Sequence, residues 1–597
     1  MYTADFDIGG TFTDGFFTSG KEIRTGKVLT TYHDLTECFI NCLREGADGF
    51  GVPLTDFVRH CSVVRLSTTL GTNTLLQRRG PLIGLLVAKG HERDLYGTGE
   101  AALFKLCLRP EMVVGIAGDP EPEEVLTAVR HLVDEGARVV AISLPTAEAE
   151  RTARELVRER YPAHYLRSMP MQLAHEVSAT TDAHARTNTV AVNAYLHGEL
   201  ARGLFRSEDL ARANGMLRPL LVVHANGGCA RVAKTVAVDT LSSGPAVAVS
   251  GAAAMARRLG LTQVVTADMG GTSLDVAVFD GQQPPSFDTP TIAGVPLAIP
   301  MIRTESIGAG GGSMAKVVAG KLAVGPESAG SAPGPACYDK GGMEPTVTDA
   351  NLLLGLLDPE RFLGGRMHLS LKRAEDAIKR RLVRTLGGDA IEMAVEIRRR
   401  INVTMAGAIR AQLQQPERYT MFAFGGGGPL HACGVAELTG ISRVMGFPFG
   451  SVFSAFGSST VDVCHRYCGD NEEALRRQAL LDMRGEGFAP EDVSLESRAT
   501  PAGLVVESRA AIAHWLPEPC TPAKRRRVAG QAWRDVRWET LPSAVQTAIF
   551  RLDELAPGAE VVGPAIIETD ATSYAVYPLW MAHIDDFGNV CMTRIQK

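Results

Sequence analysis

The sequence predicts an α/β protein made of two similar halves, and three observations support this. The motif D-x-G-G-T-x-x-D occurs twice, at residues 7–14 and 268–275. Apolar, partly β-branched segments flank the second copy at 261–267 and 276–279, and the dipeptide Asp280-Gly281 that follows favours a hairpin turn. Strand-like and helix-like segments alternate between the copies, as at 81–88 and 122–135. A duplicated unit explains both copies and predicts that their glycine turns face each other.

The two turns have the composition of anion-binding loops. Glycines lack Cβ atoms, so the backbone N–H groups of each Gly-Gly pair can approach a phosphate. Neighbouring hydroxyls can donate to it, and the aspartates can hold Mg²⁺ through water. A single copy is ordinary turn structure, whereas two copies predict one polyphosphate held between them. The predicted phosphate-binding residues are Gly9, Gly10, Thr11, Thr13, Gly270, Gly271, Thr272 and Ser273, and the predicted catalytic aspartates are Asp7, Asp14, Asp268 and Asp275.

Composition limits the class of function. A chain of 597 residues with 45% hydrophobic content predicts three or four domains with substantial cores. The net charge of −6 argues against nucleic acid as the main partner. Eleven scattered cysteines favour a reducing cytoplasm over a disulfide framework. No secretion signal or membrane span is visible in the sequence. We therefore expect a cytoplasmic enzyme subunit.

The motifs and a change of character near residue 466 suggest three domains. Residues 1–190 hold the first glycine turn, and residues 191–466 hold the second turn together with the other glycine-rich segments. Residues 467–597 are mostly strand-like and predict a small β-rich domain.

Many segments, in order along most of the chain, resemble the hydantoinase A/5-oxoprolinase family and its relatives, the ATP-dependent ketone carboxylases. They are STTLGTNTLL at 67–76, AHEV at 174–177, RTNT at 186–189, IGAGGGS at 307–313, GPESAG at 325–330, PGPACY at 333–338, TVTDAN at 346–351 and FGGGGPLHA at 424–432. The family lies within the actin-like ATPase superfamily. The resemblance implies two ribonuclease-H-like domains around a nucleotide cleft, ATP and Mg²⁺ as cofactors, and water-bridged magnesium contacts from Asp7 and Asp268.

Two further glycine segments belong to the predicted site. Gly310, Gly311 and Gly312 form either a plain flexible turn or another anion contact, and the resemblance favours the contact. Gly425, Gly426, Gly427 and Gly428 follow a strand-like segment, and the resemblance implies that they pack against adenosine.

Other candidate residues have a structural and a functional interpretation. The resemblance implies a substrate role for His175, Glu176 and Arg186, although a buried pair that steadies a domain contact explains the first two equally well. Cys464, His465 and Cys468 bring three soft ligands together without a fourth, so a second divalent metal, Zn²⁺ or Mn²⁺, remains open.

The resemblance implies that ATP activates a carbonyl or enol oxygen by phosphorylation. We predict the ATP-binding subunit of a multisubunit ketone carboxylase of the acetophenone or acetone type. The alternatives are an ATP-dependent hydantoinase, oxoprolinase or lactamase that hydrolyses a cyclic amide, and a non-catalytic nucleotide-binding paralogue. The implied partners are a hydantoinase-B-type large subunit and small accessory subunits. Arg303 and Glu305 stand where the family often has Asp and His, which puts a metal or substrate role there in doubt.

Overall fold

Two nine-stranded sheets form the body of the molecule. The computed structural model describes residues 1–31, 34–162, 164, 169–281, 283–469, 471–500 and 503–595. In spatial order, the first sheet contains Val493–Thr500, Gly503–Ala510, Val463–Gly469, Cys229–Arg231, Leu220–Val223, Cys61–Thr68, Tyr2–Ile8, Phe12–Ser19 and Glu22–Leu29. The second contains Glu305–Ile307, Leu274–Asp280, Gln263–Met269, Thr420–Phe424, Arg443–Gly446, Val590–Arg594, Trp580–Ile584, Ala559–Val562 and Arg526–Arg527.

Five strands of each sheet share the same order and directions. In both sheets, three antiparallel strands that include a D-x-G-G-T-x-x-D hairpin are followed by two strands parallel to the first strand of that hairpin. We call strands Tyr2–Ile8 and Phe12–Ser19 the first hairpin, and strands Gln263–Met269 and Leu274–Asp280 the second hairpin. The predicted duplicated α/β fold is confirmed.

Helices cover the sheets and join the halves. They are Leu35–Gly49, Leu54–Arg59, Leu70–Leu76, Leu103–Leu106, Pro122–Asp134, Ala147–Arg160, Ala174–Val177, Ala183–Ala213, Ser243–Leu259, Val347–Leu353, Leu371–Ile378, Arg384–Leu386, Ala390–Arg410, Gly428–Thr439, Phe453–Ser458 and Glu472–Gly485. None of these helices is both long enough and apolar enough to cross a membrane.

A layer of aromatic side chains holds the first hairpin against the second half. Phe16 lies with its ring centroid 5.6 Å from that of Phe449 and 5.5 Å from that of Phe456, in edge-to-face geometry. Phe279 of the second hairpin belongs to the same buried cluster. Such ring pairs contribute about 0.5–1.5 kcal/mol each beyond the burial of their area. The relative position of the two hairpins is therefore fixed by a shared core.

Two four-stranded sheets lie outside this body. One is wholly parallel and contains Val113–Ile116, Ile83–Ala88, Val139–Ser143 and Met171–Leu173. The other contains Ala532–Val536, Val545–Arg551, Ala565–Glu568 and Ser573–Val576, in the β-rich C-terminal part. Three two-stranded ladders complete the strands: Ser286–Phe287 with Met301–Ile302, Thr291–Ile292 with Val295–Pro296, and Ser313–Val318 with Lys321–Ser328.

The sheets cross the predicted domain boundaries. Strands between residues 463 and 510 complete the first sheet, and strands between residues 559 and 594 complete the second. A division of the chain at residues 190 and 466 stays a prediction.

Candidate functional site

Both glycine turns line one cavity of about 730 Å³. This volume lies within the usual range for a site that binds a nucleotide-sized ligand. The predicted site residues in its walls are Asp7, Gly9, Gly10, Thr11, Asp14, Asp268, Gly270, Gly271, Thr272, Ser273, Asp275, Gly311, Gly425, Gly426 and Gly427. The duplicated motif thus forms a single site.

The two turns are in direct contact range. A methyl group built on Gly271 would lie 3.2 Å from Thr11 Oγ1 of the other turn. Each turn is closed in the same way: the N–H of Gly9 donates to the Phe12 carbonyl at 3.0 Å, and that of Gly270 donates to the Ser273 carbonyl at 3.1 Å. The turns therefore have matching geometry and face each other across the cavity.

In each turn, two carbonyls accept hydrogen bonds from neighbouring segments, and two N–H groups are left without a partner. Thr30 donates through its N–H to Thr11 O and through Oγ1 to Gly9 O. In the second turn, the N–H groups of Gly311 and Gly312 donate to Gly270 O and Gly271 O, at 3.0 and 2.7 Å. Within the described residues, four turn N–H groups donate no hydrogen bond, those of Gly10, Thr11, Gly271 and Thr272. All four residues line the cavity, and N–H groups without a partner beside a cavity suit an anion.

The four aspartates stand in two opposed pairs. Asp7 lies directly across its hairpin from Asp14, and Asp268 across from Asp275. Burial raises the pKa of Asp7 to about 6, and the negative charges of Asp14 and Asp275 add to the rise, while a hydrogen bond from Ser67 opposes it. Burial and the other three carboxylates raise the pKa of Asp268 well above its ordinary value. Like charges opposite each other destabilise a hairpin, so this arrangement favours a bound cation.

The donor set fits Mg²⁺ held through water. Carboxylate and hydroxyl oxygens are the ligands that this cation prefers, and it usually keeps several waters. Within the described part of the chain, no group of three or more His, Cys, Asp or Glu side chains is close enough to hold a metal directly. Water-bridged contacts from Asp7 and Asp268 are consistent with both facts and stay a prediction.

Lys27 supplies positive charge to the cavity, although it lies outside the duplicated motif and was not predicted as a site residue. It is the one Lys or Arg among the described lining residues. Its Nζ donates to Asp14 Oδ1 at 2.5 Å and to the Ser451 carbonyl at 3.0 Å. The strand register places it directly across from Asp14. A tetra-anionic ligand would therefore meet this ammonium group and the open N–H groups in the same cavity.

The segment 310–312 acts mainly by supporting the second turn. A methyl group on Gly310 would lie 2.5 Å from the Gly271 carbonyl carbon and 2.6 Å from Thr272 N. Gly310 and Gly312 are not among the lining residues, whereas Gly311 is. Direct ligand contact by Gly310 and Gly312 is thus not supported, because their backbones are packed against the turn itself.

The other predicted residues outside the cavity walls have structural partners. Thr13 is buried on the opposite side of its strand from Asp14, 3.1 Å from Thr30 Oγ1. Gly428 begins a helix and packs on the Ala267 carbonyl. Because these two residues face away from the cavity, the structure does not support contact between them and a ligand.

His175, Glu176 and Arg186 also lie away from this cavity. His175 Nδ1 lies 2.8 Å from Glu150 Oε1, and Glu176 accepts a hydrogen bond from Arg154. Arg186 is buried and donates to the Thr180 carbonyl at 2.7 Å. Their role in substrate binding stays a prediction that the cavity does not support.

The second metal is not supported at Cys464, His465 and Cys468. All three lie on one strand, Val463–Gly469, where successive side chains point to opposite faces, so His465 faces away from both cysteines. His465 Nε2 instead lies 2.8 Å from Glu486 Oε1.

Two paired α/β halves that present facing glycine turns to one cleft define the two-lobed class of fold that the sequence resemblance implied. Family models agree: the hydantoinase/oxoprolinase model matches residues 186–467, its N-terminal region matches 5–161, and its C-terminal domain matches 511–591. The chain belongs to the hydantoinase/oxoprolinase family.

Named relatives include two kinds of enzyme. The chain is 36% identical to the acetophenone carboxylase gamma subunit of Aromatoleum aromaticum over 522 residues, which covers 81% of this chain and 70% of that one. It is 28% identical to caprolactamase subunit alpha of Pseudomonas jessenii, with 98% of both chains covered.

Two solved structures have the same fold over nearly the whole chain. A nucleotide-free acetone carboxylase structure matches with a TM-score of 0.86 at 22% identity and covers 99% of both chains. The ATP-dependent caprolactamase from Pseudomonas jessenii matches with a TM-score of 0.82 at 26% identity and covers 99% of this chain and all of that one. The predicted fold class is confirmed.

Proposed function

We propose that the cavity binds Mg²⁺·ATP and that the protein is the ATP-binding subunit of a ketone carboxylase. The observation that carries this proposal is the meeting of two identical motifs across one cavity, with open N–H groups on both turns. Backbone N–H donors that are already in position before the reaction stabilise the negative charge in the transition state of phosphoryl transfer. The protein then does not have to reorganise during the reaction.

Each set of residues has a distinct role in this proposal. The N–H groups of both turns and the hydroxyls of Thr11, Thr272 and Ser273 bind phosphate oxygens. Asp7 and Asp268 would hold Mg²⁺ through water, and Asp14 and Asp275, directly across the hairpins from them, would add negative charge beside it. Lys27, which pairs with Asp14 here, would supply positive charge to the phosphates. ATP would supply the phosphoryl group, and an oxygen of the substrate would accept it.

The acceptor is proposed to be the enol oxygen of a ketone. The 36% identity to an acetophenone carboxylase subunit favours this over a cyclic amide. The second candidate is an amide oxygen of a lactam, which is supported by near-complete coverage of a caprolactamase subunit. Phosphorylation of a lactam oxygen would make the carbon that bears it electrophilic toward water, whereas phosphorylation of an enol oxygen would hold the ketone as its enol, which is carboxylated at the next carbon. Both reactions need phosphoryl transfer to a substrate oxygen, so the same cavity could serve either one.

We further propose that the subunit works with partners. Both relatives above are named as subunits, which supports an assembly with a hydantoinase-B-type large subunit and small accessory chains. Full substrate turnover by the purified chain alone would contradict this part of the proposal.

Isothermal titration calorimetry with Mg²⁺ and a non-hydrolysable ATP analogue tests the binding step. Gly270→Ala is the informative variant, because its methyl group meets no protein atom within 4 Å and would occupy the cavity. We expect native stability and at least tenfold weaker binding. Gly407→Ala, on an exposed helix face with equally open space, is the matched control and should bind normally.

Single-turnover assays with γ-labelled ATP test the transfer step. Acetophenone-type ketones and lactams are compared as acceptors, with and without the proposed partner chains. Label transferred only in the presence of a ketone supports the carboxylase, and label transferred only to a lactam supports the second candidate. Tight ATP binding with no transfer under any condition would leave a non-catalytic paralogue and would contradict both enzymatic proposals.

A further inference from the structure

Five buried side chains form a closed ring of hydrogen bonds beside the cavity. Arg398 Nε donates to Glu539 at 3.0 Å, and Arg398 Nη1 donates to Asn351 Oδ1 at 2.6 Å. Asn402 Nδ2 donates to Glu539 Oε1 at 3.1 Å. His431 closes the ring, with Nδ1 2.7 Å from Asn402 Oδ1 and Nε2 3.0 Å from Asn351 Nδ2. All five residues are at least nine-tenths buried.

The charged members of the ring fix the orientation of the neutral ones. A guanidinium only donates and a carboxylate only accepts. Asn351 must therefore turn its oxygen to Arg398, and Asn402 must turn its nitrogen to Glu539. It follows that Nδ1 of His431 carries the proton and Nε2 accepts from Asn351. Burial and the charge of Arg398 also hold the pKa of His431 well below its ordinary value, so the imidazole of His431 is neutral.

This orientation leaves one donor for the cavity. Asn351 and His431 both line it, while the other three members do not. Within the described residues, Asn351 Nδ2 makes one hydrogen bond, to His431. Its second N–H is therefore available to a ligand, whereas both nitrogens of His431 are engaged. An amide that cannot flip is a selective donor.

The position of Asn351 indicates which part of a ligand it meets. Its helix, Val347–Leu353, begins beside the second turn, where the N–H and Oγ1 of Thr348 both donate to the Gly311 carbonyl at 2.8 Å. His431 lies in the first turn of the helix that follows the segment Gly425–Gly427. Asn351 thus stands between the phosphate turns and the segment expected to pack against adenosine.

We propose that Asn351 donates its free amide N–H to a ribose hydroxyl of the bound nucleotide, and that the ring of Arg398, Glu539, Asn402 and His431 is a positioning device for this amide. This inference rests on the proposed function. It makes Asn351 a specificity-determining residue for nucleosides with an intact ribose.

Calorimetric binding of ATP, 2′-deoxyATP and 3′-deoxyATP to wild type and Asn351→Asp tests the proposal. The carboxylate keeps the acceptor for Arg398 and removes the donor. We expect wild type to bind one of the two deoxy analogues about 3- to 10-fold more weakly than ATP, the effect of one uncharged hydrogen bond. Asn351→Asp should weaken ATP and erase that difference. Asn351→Ser, which also keeps an acceptor, serves if the aspartate variant does not fold.

Asn193→Asp is the matched control. Asn193 is a buried, doubly hydrogen-bonded asparagine away from the cavity walls, and its variant should keep the wild-type ratio of ATP to analogue affinity. Equal affinity of wild type for all three nucleotides, or equal weakening of all three by Asn351→Asp, would overturn the inference while leaving ATP binding in place. No ATP binding by wild type would overturn the proposed function as well.

Discussion

Replacing Gly310 by alanine should damage the site without touching the ligand. The added methyl group would lie 2.5 Å from the carbonyl carbon of Gly271 and 2.6 Å from the nitrogen of Thr272. All of these are backbone atoms, so no side chain can rotate out of the way. To reach ordinary contact, the second turn must move by about 1 Å. That displacement is directed at the two residues whose N–H groups are open to the cavity.

The expected cost divides into a stability part and a binding part. Overpacking of a buried position costs about 1–3 kcal/mol. A hydrogen bond to a charged phosphate is worth about 1.5–3 kcal/mol, so loss of one from the displaced turn weakens ATP binding by about 10- to 100-fold. Both effects are large enough to measure in one preparation.

Thermal unfolding with and without Mg²⁺·ATP separates the two parts. At a nucleotide concentration 100 times the wild-type Kd, binding stabilises wild type by about 2.7 kcal/mol, whereas a variant that binds 100-fold more weakly gains only about 0.4 kcal/mol. Gly407→Ala controls for the loss of a glycine as such. Gly270→Ala controls for a methyl group that meets ligand instead of protein, and it should keep the ligand-free stability of wild type.

An unchanged Kd for Gly310→Ala, at whatever stability, would refute this reasoning. It would mean that the second turn can move by about 1 Å, the displacement that ordinary carbon contact requires, without loss of ligand contacts. The open N–H groups would then not be phosphate donors.

Three further predictions concern charge. Lys27→Met should weaken Mg²⁺·ATP binding by about 10-fold or more, since hydrogen bonds to charged groups are the strong ones. Calorimetry measures the Kd. Lys21→Met, at the exposed end of the same strand pair, is the control and should leave the Kd unchanged. Asp7→Asn should stabilise the ligand-free protein by about 1–3 kcal/mol at pH 8 and by less at pH 5. With a pKa of about 6, the native state keeps the Asp7 proton at pH values at which the unfolded state has already lost it, so wild-type stability falls as pH rises from about 4 to about 6. Urea unfolding measures the stability, and an equal gain from Asp7→Asn at both pH values would contradict this. Arg398→Met should cost about 3–5 kcal/mol, because it leaves a buried carboxylate unpaired, whereas Arg400→Met on the exposed face of the same helix should stay within about 0.5 kcal/mol of wild type.

Local spacing predicted the turns, and the same spacing also contains the carboxylate pairs, which were not predicted from it. In a hairpin closed by a two-residue turn, residues at equal distances from the turn are partners. Asp7 and Asp14 are symmetric about residues 10 and 11, and the structure pairs them. The same count about Gly20 and Lys21 places Lys27 opposite Asp14, so the sequence held that signal although the motif did not include it.

Contacts between distant segments could not be predicted in this way. Asn351 and His431 are 80 positions apart and meet because their two helices both pack against the helix Ala390–Arg410. The pairing of strands 463–510 with the first sheet likewise depends on a long return of the chain. No spacing rule fixes such pairs, because register is set by the partner strand or helix and not by the segment itself.

The two hairpins share a motif, yet neighbouring segments support their turns in different ways. Thr30 holds the first turn, with its backbone N–H on Thr11 O and its Oγ1 on Gly9 O, and the Ser67 side chain donates to Asp7. Backbone N–H groups of residues 311 and 312 hold the second, at a distance that only glycine at position 310 permits. Side-chain support tolerates gradual change of residue type, whereas close backbone packing tolerates almost none. The residues that support the second turn should therefore tolerate substitution less than those that support the first.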